Sequence, residues 1–150
     1  RVRSMEAERV FYHGRVGQQE LAEAYLDSQI WAYPTNFSET FCITAVEAQA
    51  AGCIPVTSKL AALAETVYTG DNFVEVGTRE PHLLIPPRNK EPRYQAKFFE
   101  LVKQHLNMWE FGGQIPDLAI IAREWGLKQT WTRVAREWEA DFKQLIEEKR

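Results

Sequence analysis

The first half of the chain alternates between short apolar runs and segments with helical apolar spacing. The apolar runs, each bounded by Gly, Pro or polar residues, predict buried strands at residues 9–13, 30–34, 53–58 and 73–76. The segments between them predict helices at residues 18–28, 40–51 and 60–67. Gly52 follows the second of these helices and is predicted to end it at the C′ position.

Strands that alternate with helices through short links indicate a parallel sheet with helices on both faces. Parallel neighbours are joined by right-handed crossovers, which gives a doubly wound α/β layout. We therefore predict an α/β domain with a doubly wound parallel sheet over residues 1–85, followed by C-terminal helices.

The second half of the chain lacks strand-like runs. A polar, proline-rich linker is predicted at 86–93, an amphipathic helix at 94–106 and a loop at 107–116. A further helix is predicted at 117–126 with Gly126 as its stop, and a long final helix with Thr130 as its N-cap. We expect residues 86–150 to pack on the same domain, with Trp125, Trp131 and Trp138 buried against it.

Composition and charge narrow the function classes. The 150 residues carry a net charge of −3, which gives no reason to expect nucleic acid or an anionic membrane as the main partner. No apolar run approaches the roughly 20 residues that span a bilayer. The two cysteines form no disulfide framework, and the three histidines have no metal-ligand spacing. A cytoplasmic protein without a metal or other cofactor is expected.

Two glutamates, Glu39 and Glu47, stand with seven residues between them around the start of the second predicted helix. The amides at this start lack helical partners and suit a phosphate, because the helix dipole is positive there. Glu39 and Glu47 are about 12 Å apart along a helix axis, on one side of the helix, where their carboxylates suit sugar and ribose hydroxyls. The same spacing is also compatible with an ordinary helix-start carboxylate and a solvated helix position.

The stretch PTNFSETFCITAVEAQAAGCIPVTS resembles the donor-binding motif of the retaining glycosyltransferases of the GT-B fold, in particular family four. That motif has a Glu, seven residues and a second Glu, followed by small residues, Gly and a PV strand. The segments VFYHGRVGQQELAEAYLDSQIWAYPT, LAALAETV and TWTRVAREWEADF resemble other parts of the same family in the same order. The resemblance implies a Rossmann-like fold and transfer of a hexose from a nucleotide-diphosphate sugar to an acceptor hydroxyl.

The resemblance also implies roles for individual residues. Glu39 is expected to contact the transferred sugar and to be the catalytic residue, while Glu47 binds the ribose of the nucleotide. Arg15 is expected near the nucleotide. Backbone amides are expected to bind the sugar and diphosphate at Thr40, Phe41, Cys42 and Ile43. The family pattern usually has glycine around positions 41 and 42, where this chain has Phe and Cys.

Two parts of the family pattern have no counterpart in the 150 residues: the opening strand–helix units of the donor domain and the N-terminal acceptor domain. We therefore expect the chain to be the C-terminal donor-binding portion of a longer enzyme, with an unpaired sheet edge. Alone it is expected to be inactive. Peripheral membrane association, if any, is expected through the absent domain.

Two alternatives of other kinds stay open. The first is a non-catalytic α/β module that binds a nucleotide or a protein through its sheet edge. The second is another enzyme of the GT-B fold, such as a nucleotide-sugar epimerase or a sugar phosphorylase. A phosphorylase would need a lysine-bound pyridoxal phosphate, for which the sequence shows no clear site.

Overall fold

The described part of the chain is a mixed α/β structure with a small parallel sheet. The computed structural model describes residues 5, 7–58, 60–68, 92–111 and 117–149. Its elements follow the order α1 (Gln18–Leu26), β1 (Ile30–Tyr33), α2 (Ile43–Ala51), β2 (Ile54–Thr57), α3 (Leu63–Thr66), α4 (Pro92–Phe111), α5 (Asp117–Leu127) and α6 (Trp131–Glu148). The alternation of helices and strands predicted for residues 18–67 is confirmed.

The two strands pair in parallel, with Ile30 opposite Ile54 and Tyr33 opposite Thr57. Side chains alternate between the faces of a sheet, and the packing follows this rule. Residues Ile30 and Val56 pack against α4, where they meet Leu101. Residues Trp31 and Tyr33 pack on the other face, against the cluster formed by Cys42, Ala45, Leu63 and Val67. Helices therefore cover both faces of these two strands, while the doubly wound order of a larger sheet stays a prediction.

The predicted buried strand at residues 9–13 is wrong. Arg9 has a positive φ of 60°, and no residue from Val10 to His13 pairs with a strand in the described part of the chain. The Phe11 side chain is 61% exposed. An apolar run becomes a strand only where a neighbouring strand satisfies its amides and carbonyls, and neither β1 nor β2 pairs with this run. The predicted strand at 73–76 lies outside the described residues.

Helix α2 begins three residues later than predicted. Residues Thr40 and Phe41 form a bend, and Cys42, the residue before the helix, has a left-handed backbone with φ 63° and ψ 70°. A residue in this region cannot continue a right-handed helix, so the helical turns begin at Ile43. The predicted end is confirmed, because Gly52 has φ 97° and caps the helix.

One prediction about α4 is also wrong. Residues 107–111, predicted as loop, are the last turns of α4. There Trp109 packs against Ile54 and against Leu118 and Ala119 of α5, and this packing favours continuation of the helix. Helix α5 ends at Leu127, one residue past the predicted stop Gly126. The predicted linker at 86–93 is described only for Pro92 and Arg93, which are helical.

Position 126 of α5 requires a glycine because α5 crosses α2 at very short range there. A Cβ atom on Gly126 would lie 2.5 Å from the backbone nitrogen of Ala50 and 2.9 Å from its Cα. Both are backbone atoms of α2, so neither can move away as a flexible side chain would. Close packing of two helices therefore explains this glycine better than helix termination does.

Helix α6 begins as predicted, since the side chain of Thr130 accepts a hydrogen bond from the backbone N–H of Arg133 at 3.2 Å. The predicted burial of its tryptophans is wrong. Trp131 is 78% exposed and Trp138 is 62% exposed, whereas Trp125 of α5 is half-buried. Periodicity identifies the apolar side of a helix without showing what that side contacts. The predicted domain division near residue 85 lies outside the described residues and stays a prediction.

The first prediction from the fold concerns Gly126. Replacing Gly126 with Ala is expected to lower the free energy of unfolding by about 1–3 kcal/mol, because the new methyl group overlaps the α2 backbone. In an exposed helix the same change would raise the free energy of unfolding by about 1 kcal/mol. Urea denaturation measures the difference. Gly17→Ala is the matched control, since its Cβ meets nothing within 4 Å, and a Gly126→Ala protein as stable as this control would contradict the prediction.

The second prediction concerns His105, which is 2% exposed and whose Nδ1 has no hydrogen-bond partner among the described residues. Burial lowers the pKa of His105 below its ordinary value of 6.5. The imidazole of His105 has its ordinary pKa of 6.5 in the unfolded chain and a lower pKa in the folded one, so near these values the unfolded chain binds more protons. The stability that depends on neutral His105 is therefore fully present above pH 6.5 and is lost as the pH falls. We expect His105→Leu to flatten the loss of stability between pH 7 and pH 5, measured by urea denaturation.

The control for His105→Leu is His13→Gln, because His13 is exposed. This variant is expected to keep the pH dependence of the unmodified protein. Equal slopes for the His105→Leu variant and the unmodified protein would show that His105 does not carry the effect.

Candidate functional site

Glu39 lies in the loop between β1 and α2, at the carboxyl end of the sheet. Its carboxylate Oε1 accepts a hydrogen bond from the hydroxyl of Tyr33 at 2.8 Å. Its backbone oxygen accepts a hydrogen bond from the N–H of Ala62 at 3.2 Å. The Glu39 side chain is half-buried. Glu39 is therefore held at both its carboxylate and its backbone while part of the side chain remains open to solvent.

The environment of Tyr33 keeps its hydroxyl protonated at neutral pH. A hydrogen bond with the Thr35 side chain acts to lower the pKa of Tyr33, but burial and the neighbouring Glu39 carboxylate outweigh it and leave the pKa above its ordinary value of 10.0. A protonated phenol is a hydrogen-bond donor. Tyr33 consequently donates to Glu39 across the neutral pH range.

Two buried hydroxyl groups from the end of β2 fasten the loop that follows β1. The Oγ1 of Thr57 donates to the backbone oxygen of Tyr33 at 2.7 Å, and the Oγ of Ser58 donates to that of Thr35 at 2.7 Å. The Thr35 hydroxyl in turn accepts from the N–H of Phe37 at 3.0 Å. These bonds set the path of the loop at the edge where ligands bind in parallel α/β sheets.

The N-terminus of α2 opens to solvent beside this loop. Cys42 is buried, but the residues on either side of it, Phe41 and Ile43, are exposed. The first turn of α2 contains no acidic residue, and no side chain caps it. The positive end of the helix dipole is therefore uncompensated by any carboxylate of that turn. Of the four predicted amide donors, Thr40, Phe41 and Cys42 precede the helix, and Ile43 begins it.

Glu47 lies in a groove of about 330 Å³ between α1 and α2. The residues that line the groove with it are Gln18, Leu21, Ala22, Tyr25, Leu26, Ala50, Ala51 and Arg123. Burial, followed by the charges of Glu47, Cys53 and Cys42, raises the pKa of Tyr25, while a hydrogen bond with Thr44 acts to lower it. Glu47 is thus close to Tyr25 and half-buried, rather than a fully solvated helix position.

Cys42 lies in the chain between the two glutamates, directly before α2. It packs in the apolar cluster that also contacts Tyr33, the partner of Glu39. Glu47 is one turn into the same helix and lines its groove together with Tyr25. The start of α2 therefore lies between the surroundings of Glu39 and those of Glu47. Arg15 is exposed in the segment before α1 and, within the described ranges, has no hydrogen bond or ion pair to either glutamate.

Several neighbours of the glutamates were not predicted from sequence, notably Tyr33, Tyr25 and Arg123. Tyr33 carried a usable signal, because the last residue of a strand before a ligand-side loop points close to that loop. Arg123 carried none, since it comes from α5, 76 positions beyond Glu47 in the chain numbering. Its guanidinium donates to the backbone oxygen of Ala50 at 3.2 Å.

The described ranges show neither a metal centre nor a membrane-spanning helix. No group of three or more His, Cys, Asp or Glu side chains is arranged there to bind a metal ion. None of the described helices has the combination of length and apolarity needed to cross a bilayer.

The described part of the chain thus has a mixed α/β fold, with Glu39 in the loop before α2 and Glu47 one turn into that helix. Residues 1–104 of the 150 match the family model described as Glycosyl transferases group 1. The chain therefore belongs to the group 1 glycosyltransferase family. No curated protein and no solved structure matches the chain. The predicted resemblance is confirmed at the level of this family, and the match ends within α4.

The prediction from the site concerns Ser58, which is buried and supplies the hydrogen bond to Thr35. Ser58→Ala is expected to lower the free energy of unfolding by about 1–3 kcal/mol, because the buried Thr35 carbonyl loses this donor. Ser28→Ala is the matched control. It removes an equivalent bond to Ala24, but at an exposed position, so a change within about 0.5 kcal/mol is expected. Equal losses in the two variants, measured by urea denaturation, would contradict the prediction.

Proposed function

We propose that the chain binds a nucleotide-diphosphate sugar and forms the donor side of a retaining GT-B glycosyltransferase. The observation that carries this proposal is the open N-terminus of α2, which has Glu39 in the loop before it and Glu47 in the helix one turn after it. Membership of a glycosyltransferase family supports the reaction class. The sequence resemblance supports the GT-B fold and retention of configuration at the transferred sugar carbon.

The diphosphate is proposed to bind at the start of α2. The exposed residues there leave room for a ligand, and the first helical turn contains no carboxylate that would repel an anion. Unpaired amides and the positive dipole end attract phosphate oxygens. In the transfer reaction the same groups would stabilise the negative charge that develops on the leaving diphosphate. The amides proposed for this role are those of Thr40, Phe41, Cys42 and Ile43.

The two glutamates are proposed to bind the hydroxyl groups at opposite ends of the donor. Glu39 accepts from hydroxyls of the transferred sugar and is the proposed catalytic residue. Glu47 lies one helical turn after Ile43, about 6 Å along the axis, and accepts from the ribose. Arg15 is proposed near the nucleotide, because the segment that carries it leads into α1, which borders the Glu47 groove.

The acceptor hydroxyl is proposed to come from a substrate bound on a separate acceptor domain, so the 150 residues alone would bind the donor without transferring a hexose. No cofactor beyond the donor substrate is proposed. A cytoplasmic location and peripheral membrane contact through the acceptor domain belong to the same proposal. These statements rest on the resemblance to the GT-B enzymes.

The donor site is tested by calorimetric titration of the chain with UDP, GDP, ADP, their glucose conjugates and pyrophosphate. Glu47→Ala is expected to weaken binding of the nucleotide diphosphates about tenfold, which corresponds to about 1.4 kcal/mol, because the ribose loses its acceptor. Pyrophosphate binding is expected to be unchanged. Glu39→Ala is expected to remove only the additional affinity that the sugar confers.

The control is Glu124→Ala, an exposed glutamate of α5, which is expected to change none of these affinities. If none of the nucleotide diphosphates or their sugars binds the unmodified chain, the donor-site proposal is wrong. Equal losses for nucleotide diphosphates and pyrophosphate in the Glu47→Ala variant would rule out the ribose role of Glu47.

A further inference from the structure

We propose that Tyr33 is a positioning residue for Glu39, whose carboxylate it orients toward the transferred sugar. The inference rests on the proposed function, since it assigns Glu39 to the sugar. It depends on the 2.8 Å hydrogen bond from the Tyr33 hydroxyl to Glu39 Oε1, a contact that joins a strand of the sheet to the loop before α2.

Tyr33 is itself held in place at several points, as a positioning group must be. Its ring lies 5.0 Å, centroid to centroid, from that of Trp31 and packs on the apolar cluster that contains Cys42 and Leu63. Its backbone oxygen accepts hydrogen bonds from the N–H of Thr35 at 2.9 Å and from Thr57 Oγ1 at 2.7 Å. The hydroxyl is therefore presented from the sheet rather than from a free loop.

The bond to Tyr33 uses one oxygen of Glu39, and no other side-chain hydrogen bond to this carboxylate is present among the described residues. An ionised carboxylate accepts hydrogen bonds on both oxygens, so Oε2 and the second lone pair of Oε1 can receive sugar hydroxyls. Ordering a free glutamate side chain costs conformational entropy. With Tyr33 in place, part of that ordering is complete before the donor binds. The hydrogen bond from the N–H of Ala62 to the backbone oxygen of Glu39 also restricts the backbone of this residue.

The Tyr33 hydroxyl stays protonated at neutral pH, which supports this role. Burial and the Glu39 charge leave the pKa of Tyr33 raised in spite of the opposing effect of Thr35. The phenol is thus a donor, and Glu39 the acceptor, at every pH at which Glu39 is ionised and Tyr33 is protonated.

The test is Tyr33→Phe, which removes the hydroxyl and keeps the ring in its cluster. We expect the affinity for the glucose conjugate of the nucleotide diphosphate that binds best to fall about fivefold, while the affinity for the same nucleotide diphosphate without sugar stays unchanged. A purely structural role would weaken both ligands or lower the unfolding midpoint. Calorimetric titration and urea denaturation separate these results.

A double-mutant cycle shows whether Tyr33 acts on the sugar-nucleotide affinity through Glu39. In the Glu39→Ala background, Tyr33→Phe is expected to cause no further loss of sugar-nucleotide affinity, because the group that Tyr33 orients is absent. Tyr94→Phe is the matched control on the opposite face of the sheet. The buried Tyr94 hydroxyl lies near Ser58 without meeting hydrogen-bond geometry, and its removal is expected to leave both affinities unchanged.

The outcomes separate this inference from the proposed function. If Glu39→Ala removes the sugar-dependent affinity and Tyr33→Phe leaves it intact, the positioning role of Tyr33 is overturned and the donor site stands. If Glu39→Ala leaves the sugar-dependent affinity intact, the role of Glu39 in the proposed function is wrong. The positioning role of Tyr33 is then wrong as well, because it acts on Glu39. A loss in Tyr33→Phe that persists at full size in the Glu39→Ala background would also overturn the inference.

Discussion

The parallel pairing of β1 with β2 is the constraint on which the candidate site depends. Because the strands run in the same direction, both carboxyl ends reach one edge of the sheet, and the register places Tyr33 beside Thr57. At that edge, Thr57 and the next residue, Ser58, donate to backbone oxygens of the loop that carries Glu39. A shift of one residue would move Tyr33 to the other face, away from Glu39 and from the cluster beneath α2.

Cys42 makes two opposing contributions to the stability of the start of α2. Its left-handed backbone costs about 1–2 kcal/mol for a residue with a side chain, while its side chain is buried against Ala45, Leu63 and Val67. The GT-B enzymes that the chain resembles usually have glycine around this position, which avoids the backbone cost but contributes no packing. Here the side chain takes part in the core, and the backbone turn still leaves Phe41 and Ile43 exposed at the helix start.

The sequence located the two glutamates and the end of α2, but neither the exact start of that helix nor the groups that surround the glutamates. Glu39 and Glu47 were recognisable from their spacing and flanking residues, and Gly52 from its position after a helical segment. The partner of Glu39, Tyr33, comes from the preceding strand, and Arg123 reaches the Glu47 groove from α5. Spacing along a chain reports neighbours within one element, whereas contacts between elements depend on how those elements pack.

Local sequence determined most of the helices and strands from residue 18 to residue 67, because apolar spacing and Gly and Pro residues act over a few positions. Tertiary structure decided the rest. Residues 9–13 are as apolar as a strand but have no pairing partner in the described structure, so they form none. Gly126 marks the end of α5 to within one residue, but only the packing shows that α2 leaves no room there for a Cβ atom. Trp131 and Trp138 follow an apolar period and remain exposed, because burial requires a second surface that periodicity alone does not specify.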